Sequence, residues 1–227
     1  MIRFSSVLLD LDGTLTNPYQ GIAASIRQAL QRMGVAPASD DDLRWAIGPP
    51  PRQTFARLLN TDDEGHIEKA LAFYRERYST IGLFENSVYP GVPEMLAGLH
   101  AAGCRLFVAT SKPVVYARKI VGHFDLAKYF TAVHGSELDG KNENKPDLIR
   151  FILSTEGLTP RAVAMVGDRV HDIVAAKENA VSAVGVTWGF GPRSELEAAR
   201  ADMICDSPSE LLHFLAESPA SSAAKST

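Results

Sequence analysis

Cysteine is nearly missing from this chain: of 227 residues only Cys104 and Cys205 carry a thiol. They stand far apart with no CxxC pair, so neither a disulfide framework nor a thiolate zinc site is indicated, and a reducing, cytoplasmic setting is expected. Basic excess is also lacking. With 23 Lys and Arg against 27 Asp and Glu, the formal charge is -4, which provides no cationic surface to hold a nucleic-acid backbone by counterion release. Long hydrophobic runs are absent: none approaches the roughly 20 apolar residues of a bilayer span. The stretch from Met1 to Asp10 passes through one short apolar segment straight into acids, without the basic start and greasy core of a leader. The partner expected is therefore a small molecule, met by a monomer or homodimer, with neither nucleic-acid polymer nor membrane involved.

What is present is enough apolar material, 45% of residues, for a sizeable buried core. Ser6 to Leu11 form an almost continuous apolar run that ends in Asp10, Asp12 and Gly13, the pattern of a strand buried on both faces of a parallel sheet. Similar runs recur at Arg105 to Thr110, Ala162 to Gly167 and Ser182 to Val186, separated by helical-looking sequence. Strands alternating with helices imply an α/β, Rossmann-like parallel sheet, whose ligands bind beyond the carboxyl ends of the strands. Asp10, Thr110 and Asp168 all fall there.

From residue 17 to residue 83 the alternation stops and only helical segments follow, so this stretch reads as an inserted helical cap between core segments 1–16 and 84–217. Asn17 before Pro18 predicts an N-cap, followed by Ile22, Ile26, Leu30 and Met33 at helical spacing up to Gly34. Ser39 with Asp40 to Asp42 predicts a second helix start. Gly48 to Arg52, with three consecutive prolines, predicts a stiff loop, and Ile67 to Ile81 predict a longer helix. Residues 218–227, rich in Ser and Ala, predict a disordered tail.

The chemistry concentrates in two acidic runs. In extended backbone Asp10 and Asp12 point to one side while Leu11 points to the core. An Asp-Gly pair alone is an ordinary turn, but Gly167-Asp168-Arg169-Val170-His171-Asp172 adds a second cluster directly after an apolar run. Asp168 and Asp172 converge if a helix starts between them. Four carboxylates with no thiolates or paired histidines select a hard cation, Mg2+ first. His171, a single histidine beside such acids, is read as a surface or helix-start residue and is left out of the ligand set.

These runs, in this order, resemble the haloacid dehalogenase superfamily of phosphatases over essentially the whole chain short of its tail. The resemblance implies that Asp10 of Asp10-Leu11-Asp12-Gly13-Thr14 is the nucleophile and Asp12 the acid/base. It implies that Thr110, with Ser111 and backbone N–H groups nearby, holds phosphoryl oxygens, although Thr110 read alone is a helix N-cap. Lys141 and Lys145 both stand where the family's lysine belongs; Lys145 is preferred because Pro146 marks a helix start. Asp10, Asp12, Asp168 and Asp172 would hold magnesium, with Asp12 acting through its backbone. In the cap, Gly48 and Arg52 are candidates for substrate contact, Arg52 being suited to a carboxylate or a second phosphate. A solvated Arg52 at a helix start is the plain alternative.

Gly135-Ser136-Glu137-Leu138-Asp139-Gly140-Lys141-Asn142 nearly spells a nucleotide-binding phosphate loop, but Asn142 stands where a hydroxyl should meet magnesium and Glu137 and Asp139 put negative charge in the cradle. The same stretch resembles a subgroup of small-molecule phosphatases, 5'-nucleotidases and phosphoglycolate phosphatases. Nucleoside monophosphates are thus the first substrates expected and phosphoglycolate the second. Dehalogenation is disfavoured, since it needs no metal and no acid at Asp12. A sugar-phosphate mutase and a non-enzymatic phospho-acceptor domain are the remaining alternatives.

Overall fold

A computed structural model of the chain describes residues 3–36 and 41–216. In chain order its elements are β1 (Ser6–Leu9), β2 (Thr16–Asn17), α1 (Tyr19–Arg32), α2 (Pro51–Leu59), α3 (Glu64–Arg77), β3 (Ser87–Val88) and α4 (Val92–Ala101). They continue with β4 (Arg105–Pro113), α5 (Val114–His123), β5 (Ala132–Ser136), α6 (Lys145–Thr155), β6 (Val163–Gly167), α7 (Val170–Glu178), β7 (Ser182–Val186), α8 (Arg193–Ala198), β8 (Met203–Cys205) and α9 (Pro208–Ala216). Contacts group the chain into one unit of Met1–Leu15 with Val88–Thr227 and a second of Thr16–Ser87.

The first unit is an α/β sheet of six strands in the order β5-β4-β1-β6-β7-β8, and its strands pair in parallel. All four residues of β1 are buried, as expected for a strand covered on both faces. Leu8, Phe107, Met165 and Ala183 pack on one face with Ile149 and Ile152 of α6 and Ile173 of α7. Alternation sends Val7, Leu9, Leu106, Val108 and Val166 to the opposite face. Register sets the working edge: Leu9 lies level with Val108 on one side and Val166 on the other, so the residues just beyond them reach a common strand-end rim. Both cysteines are buried, and burial with Glu210 and Asp206 nearby pushes the Cys205 thiol up to about 12. Neither thiol is poised as a nucleophile.

The second unit is helical. Ile22, Ile26 and Leu30 of α1 are buried, as are Phe55 of α2 and Ile67 and Leu71 of α3. Tyr74 meets Phe55 edge-on at 5.9 Å and stacks on Tyr78 at 5.1 Å. Arg77 donates two hydrogen bonds to the carboxylate of Glu85, at 2.7 and 2.8 Å, and a third to the Ser25 hydroxyl at 3.2 Å. The pairing lowers the Glu85 carboxyl below its ordinary 4.5. Glu85→Gln is expected to cost about 1.5 kcal/mol in urea denaturation near neutral pH. Since the folded form holds its proton less tightly, that contribution is complete above the unfolded value and fades as pH falls through the folded one. The two proteins should therefore converge in stability in acid.

Local chemistry shifts several expected boundaries. Pro18 is the cap of α1 rather than its first residue, and Asn17 Oδ1 accepts from the Tyr19 N–H at 3.1 Å. Ser39 and Asp40 lie outside the described residues, as does the tail 218–227, and Asp41–Ala46 form a 3-10 turn. The expected loop Gly48 to Arg52 ends early: Pro51 opens α2, so Arg52 sits in a helical first turn, because proline is tolerated where the N–H has no partner. The helix expected over Ile67 to Ile81 starts at Glu64, capped by the Asp63 carboxylate, and ends in a π turn at Tyr78–Gly82. β5 and β8 were not expected. Among the described residues no helix is long and apolar enough to cross a membrane.

Candidate active site

Two strand ends and one helix start assemble the acids, all within the first unit. Asp10 follows β1, its N–H donating to Val166 O at 2.9 Å. Asp168 follows β6, and Asp172 stands in the first turn of α7, where it accepts from the Arg169 N–H at 3.2 Å. One carboxylate oxygen from each of Asp10, Asp168 and Asp172 lies within 4.8 Å of the others. Three of the four expected carboxylates thus come together. His171, also on α7, is exposed and is not in that group.

Lysine supplies the balancing charge. Lys145 opens α6 with its side chain 6% exposed; Nζ lies 2.9 Å from Asp10 Oδ1 and 2.9 Å from Asp172 Oδ1, and donates to Ala109 O at 3.0 Å. Burial opposes its charge, but Asp10 and Asp172 outweigh it and raise the pKa, so this lysine stays protonated. Lys141, the other candidate, lies in an exposed turn where its N–H donates to Asp139 Oδ1. That turn closes on itself, with Glu137 N–H on Lys141 O at 2.8 Å and Gly140 N–H on Glu137 O at 3.0 Å. Its amides are spent internally, and no phosphate loop forms.

Asp12 has a different partner. Its Oδ2 lies 2.8 Å from Lys112 Nζ, a lysine side chain only 6% exposed, so the Asp12 carboxylate is not one of the three grouped acids. Burial raises the Asp12 carboxyl above the ordinary range, with Lys112 pulling the other way. Lys112 owes its place to a bulge: between Ala109 and Pro113 the register of β4 against β5 shifts, and such irregularities re-aim side chains at sheet ends. Thr110, 2% exposed, lies in this stretch as strand and not as a helix cap; its Oγ1 accepts from the Lys112 N–H at 3.3 Å. The Ser111 carbonyl accepts from the Ser136 hydroxyl at 2.9 Å.

Gly13 packs the cluster. Its φ is +87°, and a Cβ there would stand 2.3 Å from Asp168 Oδ2, so only glycine lets the turn after Asp12 close on that acid. In the helical unit, Gly48 precedes the prolines, and the Arg52 guanidinium is engaged by Glu64 and Glu68 of α3.

The electrostatics ask for a cation. Burial, then Asp172, pushes the Asp168 carboxyl up to about 7, against the Phe190 N–H that holds it down. Burial also raises Asp172, although Lys145 opposes it. One lysine does not offset three carboxylates. Among the described residues, the only buried side-chain oxygens or nitrogens without a hydrogen-bond partner belong to Asp10, Asp12, Thr14, Asp168 and Asp172. Setting aside the two oxygens that face Lys145, Asp168 Oδ1, Asp12 Oδ1 and Thr14 Oγ1 remain unsatisfied, which is uncommon for buried groups and marks a place where something charged belongs. An all-oxygen set of this kind fits magnesium.

The sequence pattern of the haloacid dehalogenase-like hydrolases matches residues 7–186. A 5'-nucleotidase of Pseudomonas aeruginosa is 44% identical over 204 residues, covering 90% of this chain and 92% of that protein. The tyrosine-protein kinase PtkA of Mycobacterium tuberculosis is 38% identical over 185 residues, 82% of this chain and 62% of that protein. Among solved structures, a "predicted phosphatase" from Clostridium acetobutylicum superposes with a TM-score of 0.87 at 38% identity, covering 92% of this chain and 97% of that one.

Proposed function

The chain belongs to the haloacid dehalogenase-like hydrolases as a phosphoric monoester hydrolase, and from that premise we propose that it cleaves small phosphorylated metabolites in the cytoplasm, as a monomer or homodimer, through an aspartyl-phosphate on Asp10. The observation that carries the proposal is that Asp10, Asp168 and Asp172 each bring a carboxylate oxygen within 4.8 Å of the others at the strand-end rim.

Asp10, Asp168 and Asp172 would hold magnesium, with the backbone at Asp12 completing its protein ligands. Bound there, the ion supplies the charge neutralisation that lets a carboxylate approach a phosphate dianion. Thr110 and Ser111 hold phosphoryl oxygens: the Thr110 hydroxyl accepts from Lys112 N–H and keeps its own proton to donate. Lys145 adds a fixed positive charge. An Asp10 oxygen attacks phosphorus in line while the bond to the leaving oxygen breaks, and Asp12, raised by burial, hands that oxygen a proton. Water then attacks the phosphoryl group on Asp10 and gives its proton to Asp12. Rupture of the P–O bond to Asp10 releases inorganic phosphate. Proton transfer of this kind contributes about 10² to 10⁴ in rate.

Nucleoside 5'-monophosphates are the first substrates proposed, supported by the 44% identity to the 5'-nucleotidase; phosphoglycolate is second. The cap would choose between them, with Gly48 and Arg52 as candidate contacts. Because Arg52 already has two carboxylate partners, an anion would have to exchange with them. The test is phosphate release from a panel including both classes, with p-nitrophenyl phosphate alongside. Multiple turnover with magnesium, loss to background in EDTA and recovery on adding magnesium are expected. Activity indifferent to chelator defeats the metal reading, and a single turnover on p-nitrophenyl phosphate would favour a phospho-acceptor.

A further inference from the structure

The loop after β7, Trp188-Gly189-Phe190-Gly191, is used by none of the chemistry above, yet it touches the acid cluster at three points. The Trp188 indole N–H donates to Thr14 O at 3.0 Å. The Phe190 N–H donates to Asp168 Oδ2 at 2.7 Å. At Gly189 a Cβ would stand 2.3 Å from Asp168 Oδ2 and 2.3 Å from Gly13 O. Asp168 is therefore closed between two glycine backbones, Gly13 on one side and Gly189 on the other. Its Oδ2 is committed to Phe190, and its Oδ1 is left buried and unpartnered.

We propose that this loop is a positioning element for metal binding: it fixes the Asp168 carboxylate so that Oδ1 alone is offered to the ion, and it ties that carboxylate to the Asp10-to-Thr14 turn. The inference rests on the metal reading above. The physical logic is that a carboxylate with one oxygen held by a backbone N–H cannot rotate away or bind through both oxygens, so the site is formed before the ion arrives. Groups that orient a ligand without touching the metal typically change its affinity by about 10- to 100-fold when altered. Trp188 extends the same constraint to Thr14, whose carbonyl follows the nucleophile by only a few residues.

The test measures magnesium affinity by calorimetric titration of the intact chain, so that no substrate or turnover enters. Gly189→Ala forces Asp168 or the Gly13 peptide to move and is expected to weaken binding about 10- to 100-fold, while circular dichroism in EDTA still shows a cooperative melt. Trp188→Phe keeps a ring but removes the donor to Thr14, and a weakening of about threefold or more is expected, within the reach of one neutral hydrogen bond. Folded Gly189→Ala with wild-type affinity overturns the proposal. Should Gly189→Ala fail to fold, wild-type affinity in Trp188→Phe overturns it instead. If the wild type binds no magnesium at all, the metal reading fails with it. Wild-type binding with unchanged variants sinks only the role of the loop.

Discussion

Replacing Asp10 with asparagine is expected to lower turnover about 10⁴-fold or more while leaving the fold intact. The loss follows from chemistry, because a neutral amide cannot take up the phosphoryl group, and removing a covalent nucleophile costs an enzyme most of its rate enhancement. The intact fold follows from electrostatics. Asp10, Asp168 and Asp172 crowd one buried lysine, and the amide takes one negative charge out of that crowd while keeping the side chain's shape. Its thermal unfolding in EDTA should therefore occur no lower than that of wild type. Phosphate release on p-nitrophenyl phosphate and a melting curve in EDTA check both halves, and substantial activity in the asparagine variant removes Asp10 from its role.

Lys145→Met tests the same charge account with the opposite sign. The ammonium is shared by Asp10 and Asp172, and it also satisfies Ala109 O. Methionine fills a comparable volume but leaves those groups buried without a counter-charge, a change that costs about 3 kcal/mol in comparable buried pairs. Turnover should fall about 10³-fold, the scale of losing one fixed charge or donor aimed at the reacting group. Unfolding in EDTA should shift to lower temperature, with partial recovery when magnesium is added. A variant that melts with wild type in EDTA would contradict the idea that the acids outnumber their cations.

The core was legible wherever burial on both faces leaves an uninterrupted apolar run. β7 spans Ser182–Val186 as expected, β6 starts one residue later than the run suggested, and β1 ends at Leu9, before the acids. β5 was invisible for a physical reason: it is an edge strand reading Ala-Val-His-Gly-Ser, with three of five residues only half-buried. β8 has just three residues. At the site, the convergence of Asp10, Asp168 and Asp172 was readable because strand ends of a parallel sheet share one rim. Lys112 was missed as a partner of Asp12 because its position depends on a register shift that no periodicity announces. Gly189 was missed too, since a glycine after a strand looks like a turn until its neighbours in space are known.

The central strand has one more consequence, for the order of assembly. β1 pairs with segments that begin at Arg105 and Val163, whereas the helical unit lies within one contiguous stretch. A growing chain can gather the helical unit from nearby residues, but β1 waits until Val163 has been made for the second of those neighbours, and distant pairings are the slow ones. The residue proposed to attack phosphate is made well before the strand that completes its surroundings, so a chain released before Val163 would have no reaction centre.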